Sequence, residues 1–214
     1  MRVLPALVAF GFLSAAAAPA LAHPHIFVDT GLALTLDEAG RVTQVEVTWK
    51  YDDLYSLLIM QDRGLDDDAD GALTEAELAQ IDGWDMNWIE GYEGDLYLET
   101  PGGVPVALDA PQPLSTDVED GRLISRHIRP LAEPVAADGL ALRAFDPEFY
   151  TAYDLTLGVT VGNSCAATVT PPDQDAAYRE AREIMSDFPE DAVGVPMLGH
   201  VFAETVSITC SPAD

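Results

Sequence analysis

Lysine is nearly absent: Lys50 is the only one, and 10 Lys+Arg stand against 37 Asp+Glu, for a formal net charge of −27. That balance excludes a nucleic-acid binder, since phosphate contacts need clustered Lys and Arg. An anionic membrane surface is an equally poor partner. Cysteine is scarce too, with Cys165 and Cys210 the only two, and no Cys-x-x-Cys spacing points to a thiolate metal site. There is no Ser–His–Asp motif, no His-Glu-x-x-His and no phosphate loop, so nothing nominates a hydrolase, and the chain reads as a protein that is not an enzyme. After residue 22 no apolar run approaches membrane-spanning length. What remains is substantial. With 48% hydrophobic and 22% charged residues over 214 positions, the chain can bury a core of one domain.

The first 22 residues read as a cleaved export signal. Arg2 is a minimal basic start, an apolar Ala-rich stretch follows from Leu4 to Ala18, and Ala20-Leu21-Ala22 supplies the small-x-small pattern before a cleavage site. A membrane anchor is the competing reading, disfavoured by the Ala-rich run and its small-residue end. Cleavage there starts the mature chain at His23 and delivers it to the periplasm. An oxidising compartment favours a Cys165–Cys210 disulfide, with two buried free thiols as the alternative.

Hydropathy periods then predict the elements. Residues 25–36 and 41–49 form a hairpin, because Val45, Val47 and Trp49 alternate with polar neighbours and Asp37-Glu38-Ala39-Gly40 makes the turn. From Asp52 the period becomes helical, with Leu54, Leu57 and Leu58 on one side and Asp52 or Asp53 as cap. A second helix is predicted over 75–90, carrying Leu78, Ile81 and Trp88, with Gly83 as a weak point. Strands are predicted over 96–98, 104–108, 115–119, 123–129, 140–145, 155–161, 166–170 and 204–210, with a helix over 173–186. Pro111-Gln112-Pro113 and Pro171-Pro172 read as connectors. The expected fold class is α+β: a single domain over 23–214, mostly antiparallel sheet, with an EF-hand-like helix–loop–helix inserted over 52–90.

The strongest motif lies in that insertion. Residues 66–77, Asp-Asp-Asp-Ala-Asp-Gly-Ala-Leu-Thr-Glu-Ala-Glu, match the EF-hand calcium loop at every fixed position. Calcium is a hard cation that takes about seven oxygens. The expected donors are Asp66, Asp68, Asp70, the Ala72 carbonyl, Thr74 through water and a bidentate Glu77, with Gly71 making the sharp turn. A solvated acidic turn is the bland alternative. No second loop is present to pair with this one, so an exported lone loop reads as structural at high ambient calcium.

A second candidate sits at the mature N-terminus. His23-Pro24-His25 places a free amine beside an imidazole, and that amine deprotonates near neutral pH. Pro24 has no N–H, which excludes a square-planar site on successive deprotonated amides. A brace of amine and imidazoles would favour Cu2+, Ni2+ or Zn2+. Asp29 shares a strand face with His25 and Phe27 and is a candidate ligand, and His127, Asp146 and His200 are possible further donors. The bland readings are a frayed terminus and two histidines that serve only the core or the surface.

Taken together, His23-Pro24-His25-Ile26-Phe27-Val28-Asp29, Trp49-Lys50-Tyr51-Asp52-Asp53-Leu54-Tyr55-Ser56, the acidic loop, Asp146-Pro147-Glu148-Phe149-Tyr150 and Thr209-Cys210 occur in order. In this the chain resembles a bacterial family of unknown function described as the periplasmic component of an uncharacterised ABC-type transport system, over nearly the whole mature length. Members are often encoded beside nickel/cobalt-type transporters, so the resemblance implies metal handling and nominates Asp29, Asp52, Asp146 and Tyr150. The expectation is therefore a periplasmic metal-binding accessory of a transition-metal transport system, with a membrane metal transporter as partner and a structural calcium site. The alternatives are a calcium-stabilised interaction module without transition metal and, further off, a copper redox enzyme.

Overall fold

A computed structural model describes residues 24–162, 164–189 and 192–211. The export signal read over residues 1–22, and His23 with it, lie outside the described residues.

Ten strands and four helices follow one another as β1 (Ile26–Leu36), β2 (Arg41–Tyr51), α1 (Asp53–Asp62), α2 (Glu75–Ile81), β3 (Leu96–Thr100), β4 (Val104–Pro105), β5 (Gln112–Glu119), β6 (Arg122–Ala136), β7 (Ala141–Ala144), β8 (Thr151–Thr160), β9 (Cys165–Thr170), α3 (Gln174–Asp187), α4 (Gly199–Phe202) and β10 (Thr205–Cys210). The strands make two sheets, ordered β5-β6-β2-β1-β8 and β4-β3-β7-β10-β9. Every pairing is antiparallel except β1 with β8. The α+β expectation thus resolves into a sandwich of two antiparallel-type sheets rather than one sheet.

Alternation along β2 explains why the layers meet. Val45, Val47, Trp49 and Tyr51 are buried, and their cores merge with Val28, Leu32 and Leu34 of β1, Leu98 of β3, Leu142 of β7 and Val206 and Ile208 of β10. One apolar core therefore serves both sheets. Pro113 lies inside β5 and Pro105 inside β4, where a connector or a longer strand was predicted. Both are edge strands, the one sheet position that tolerates a residue without an N–H.

Two helical expectations change. In α1 the buried residues are Ser56 and Met60, whereas Leu54, Leu57 and Leu58 are exposed. The helix docks instead by the side that carries Ser56 and Met60: Met60 enters the apolar core, with Tyr55 and Ile59 packed beside it, and the Leu123 N–H donates to Ser56 Oγ at 2.9 Å. The helix predicted over 75–90 ends at Ile81, because Asp82 leaves helical space with ψ 123°. Residues 82–95 then run as turns and irregular chain to β3. Trp88 consequently sits not on a helix face but against Trp49, with ring centroids 6.3 Å apart.

Candidate functional site

Three regions carry site chemistry. The first is the loop between α1 and α2. Asp66, Asp68 and Asp70 bring one carboxylate oxygen each to within 4.8 Å of one another, the only such group of three His, Cys, Asp or Glu among the described residues. Backbone geometry forces that convergence. Asp66 accepts the N–H groups of Asp70 at 3.0 Å and of Gly71 at 3.2 Å, and Asp70 accepts that of Ala72 at 2.8 Å. Gly71 has φ +78°, a left-handed conformation that lets the chain fold back under the carboxylates. Thr74 caps α2 in a capping box with Glu77. Glu77 Oε2 accepts from Thr74, and its Oε1 accepts the Asp66 N–H at 3.1 Å, so the carboxylate of the twelfth loop residue closes onto the first. These hydrogen bonds, that from the Thr74 hydroxyl foremost, hold the Glu77 carboxyl below the usual carboxylate range. Oxygens coordinated at 2.3–2.6 Å to one ion can stand no more than about 5 Å apart, so this donor set has the chemistry and spacing of a hard-cation site.

The second region is the start of β1. His25 is exposed, and its ring lies 4.9 Å from that of Tyr150. Its N–H donates to the Tyr150 carbonyl at 2.8 Å, so the Asp146–Tyr150 segment lies beside the N-terminus. Asp146 spends its carboxylate on that turn, accepting from the N–H groups of Glu148, Tyr150 and Thr151. Asp52 bridges β1 and α1 by accepting from Phe27 and Tyr55. Asp29 is engaged by Thr156 Oγ1 at 2.5 Å and by Arg122 at 2.8 Å, contacts that hold its carboxyl low. His200, on α4, stands 3.9 Å from a Glu180 oxygen. His127 is fully buried, centroid to centroid 4.6 Å from Trp49 and 5.7 Å from Trp88. Burial first, then the Arg129 charge, depresses its pKa to about 3, so it is neutral in the core. Among the described residues these positions form no cluster of three metal donors.

The third region enters the sequence reading only piecemeal, through His127 and Asp146 as possible metal donors and Trp88 on a predicted helix face, and not as a cluster. Strand β6 points Ser125, His127 and Arg129 inward, a polar row on a core face. Residues 82–95 cover that row. Ser125 and Tyr51 both donate to Asp85 Oδ2, at 2.5 and 2.8 Å. Arg129 stacks on Trp88 at 4.7 Å and donates to the Glu93 and Asp109 carbonyls. Gly94 has φ +70° and takes the Trp88 ring and the Arg129 guanidinium where a Cβ would be. Beside this packing opens a cleft of about 370 Å³, lined by Ile26, Thr151, Asp85, Asp95, Asp146 and an aromatic set that includes Trp49, Trp84, Trp88, Tyr55 and Tyr153. Asp95, 6% exposed, accepts from the hydroxyls of Tyr92 and Tyr153, both at 2.9 Å. Burial raises its pKa to about 6, and it raises that of Asp85 as well. The alternation Ser125-x-His127-x-Arg129 between Leu123 and Leu131 on the buried face of β6 is the sequence signal that polar partners must cover this face.

The fold and these sites define a class: a two-sheet β-sandwich carrying a helix–loop–helix with an acidic loop. The chain belongs to the family described as protein of unknown function DUF1007, whose model matches residues 8–210. No curated protein matches it. Among solved structures it is similar to the AChBP of Bulinus truncatus at 11% identity over 87% of each chain, with a TM-score of 0.27, a likeness that says nothing of site or ligand. The Cys165–Cys210 disulfide joins residues directly opposite on β9 and β10, and it suits an exported protein. No helix among the described residues is long and apolar enough to cross a membrane.

Proposed function

We propose that this protein is a periplasmic metal-handling protein that holds one calcium ion in the 66–77 loop and serves as an accessory to a transition-metal transport system. The observation that carries the reading is the convergence of the Asp66, Asp68 and Asp70 oxygens within 4.8 Å, in a loop closed by Glu77. Asp66, Asp68, Asp70 and Glu77 would supply carboxylates, Ala72 its carbonyl and Thr74 a water-bridged contact. Calcium there supplies charge neutralisation and tethers α1 to α2.

The transition-metal part draws on His23-Pro24-His25 and on the resemblance to proteins encoded beside nickel/cobalt-type transporters. A membrane metal transporter is the partner it implies. One specific observation favours a second reading, a calcium-stabilised interaction module: among the described residues Asp29 is engaged by Arg122 and Thr156, and His127 is buried among tryptophans.

Equilibrium dialysis of chelator-treated protein beginning at His23 separates the two. The expected result is one calcium, lost in Glu77→Gln, and one Cu2+, Ni2+ or Zn2+, lost when a Met precedes His23 and weakened in His25→Ala. Equal transition-metal binding with and without the added Met removes the brace and leaves the interaction module. Absence of calcium binding overturns the loop assignment.

A further inference from the structure

We propose that the aromatic cleft between residues 82–95 and the adjoining ends of β1, β2 and β8 binds a small organic ammonium cation, one bearing an alkylated or quaternary nitrogen. Asp85 and Asp95 line the cleft beside Asp146, whose carboxylate is already taken up by three N–H donors of its turn, and among the described residues none of the three is ion-paired with Lys, Arg or His. Asp95 is almost wholly buried, and two tyrosine hydroxyls share one of its oxygens. Asp85 Oδ1 is buried with no hydrogen-bond partner among the described residues, although Oδ2 of the same carboxylate accepts from two hydroxyls. Buried, uncompensated carboxylate charge calls for a cation, because its solvation is poor and the chain provides no counter-charge.

Two features say which kind of cation. The three carboxylates do not come within the reach of a single metal ion, unlike Asp66, Asp68 and Asp70. Aromatic rings line the same cleft: Tyr51 lies 5.3 Å from Tyr55 and 5.5 Å from Trp84, and Trp49 lies 5.7 Å from Tyr153. Ring faces attract cations through their quadrupoles and do so best for weakly hydrated, alkylated ammonium groups. About 370 Å³ is the size of a small-molecule site. The cleft does not involve the calcium loop, so the inference stands apart from the function proposed above.

The protein contains three tryptophans, and Trp49, Trp84 and Trp88 all line this cleft, so its entire indole emission reports on occupancy. The experiment is a fluorescence titration at constant ionic strength with tetramethylammonium, with choline, and with 3,3-dimethylbutan-1-ol as the neutral isostere of choline. The expected result is a saturable change with both cations and binding of the isostere weaker by about ten-fold or more. Asp85→Asn and Asp95→Asn, each shown folded by circular dichroism, should weaken the cations by a similar factor, and Glu77→Gln should not. Asp95→Asn keeps an acceptor for a tyrosine hydroxyl, so it remains informative if Asp85→Asn does not fold. No saturable response to either cation, equal binding of the neutral isostere, or undiminished binding in the folded aspartate variants overturns the proposal.

Discussion

Asp95 shows how a single residue can be held at odds with its surroundings. It has two hydroxyl donors, yet burial still lifts its pKa to about 6. The folded carboxyl therefore holds its proton more tightly than the unfolded one, so this group's cost is fully present above about pH 6 and vanishes below about pH 4. His127 acts in the opposite direction. Its folded pKa of about 3 lies below its unfolded value, so stability from that group falls as pH drops below about 6.5. The two effects separate in a comparison with Asp95→Asn. Relative to that variant, wild type should gain on the order of 2–3 kcal/mol between pH 7 and pH 4, measured by urea unfolding in chelator. Parallel pH profiles would mean that Asp95 does not carry a buried charge.

At the scale of elements, what could be read from the residues was whatever repeats with a short period or a fixed spacing. The β1–β2 hairpin, α3 and β10 lie close to their predicted bounds because alternation, caps and turn residues are local signals. The acidic loop was legible for the same reason, as twelve contiguous residues with their own grammar. Residues 82–95 were not. Their tryptophans fit a helical stripe as well as they fit irregular chain, and tertiary packing decided, with Arg129 and His127 of a strand some forty positions later supplying the partners. The exposed leucines of α1 have the same cause: period alone locates a helix's apolar stripe but not the neighbour it faces. The two-sheet arrangement is not legible in the residues because strand order is set by long-range pairing such as β1 with β8, which leaves no local mark. The disulfide belongs to this scale as well. It staples the edge strand β9 to β10, across a separation of 45 residues. A Cys165→Ala/Cys210→Ala variant should lose about 2–4 kcal/mol in urea unfolding, and an unchanged midpoint would show that the strand pairing alone suffices.

For the whole molecule, the dominant fact is a net charge of −27 on 214 residues. Self-repulsion of that size opposes compaction, and cations relieve it. A site that converges three carboxylates adds to the repulsion locally until an ion fills it. Calcium binding should therefore appear as folding stability, since the unfolded chain has no assembled loop to bind with. The most direct measurement is calorimetric melting of protein beginning at His23 in chelator and in millimolar calcium, for wild type and Glu77→Gln. Wild type should gain about 0.4–1.4 kcal/mol in millimolar calcium for a structural loop with Kd of roughly 10⁻⁴ to 10⁻³ M, seen as a rise of about one to a few degrees in Tm, and Glu77→Gln should lose most of that gain. An identical Tm for wild type in chelator and in millimolar calcium would contradict the calcium loop and the metal-handling role built on it.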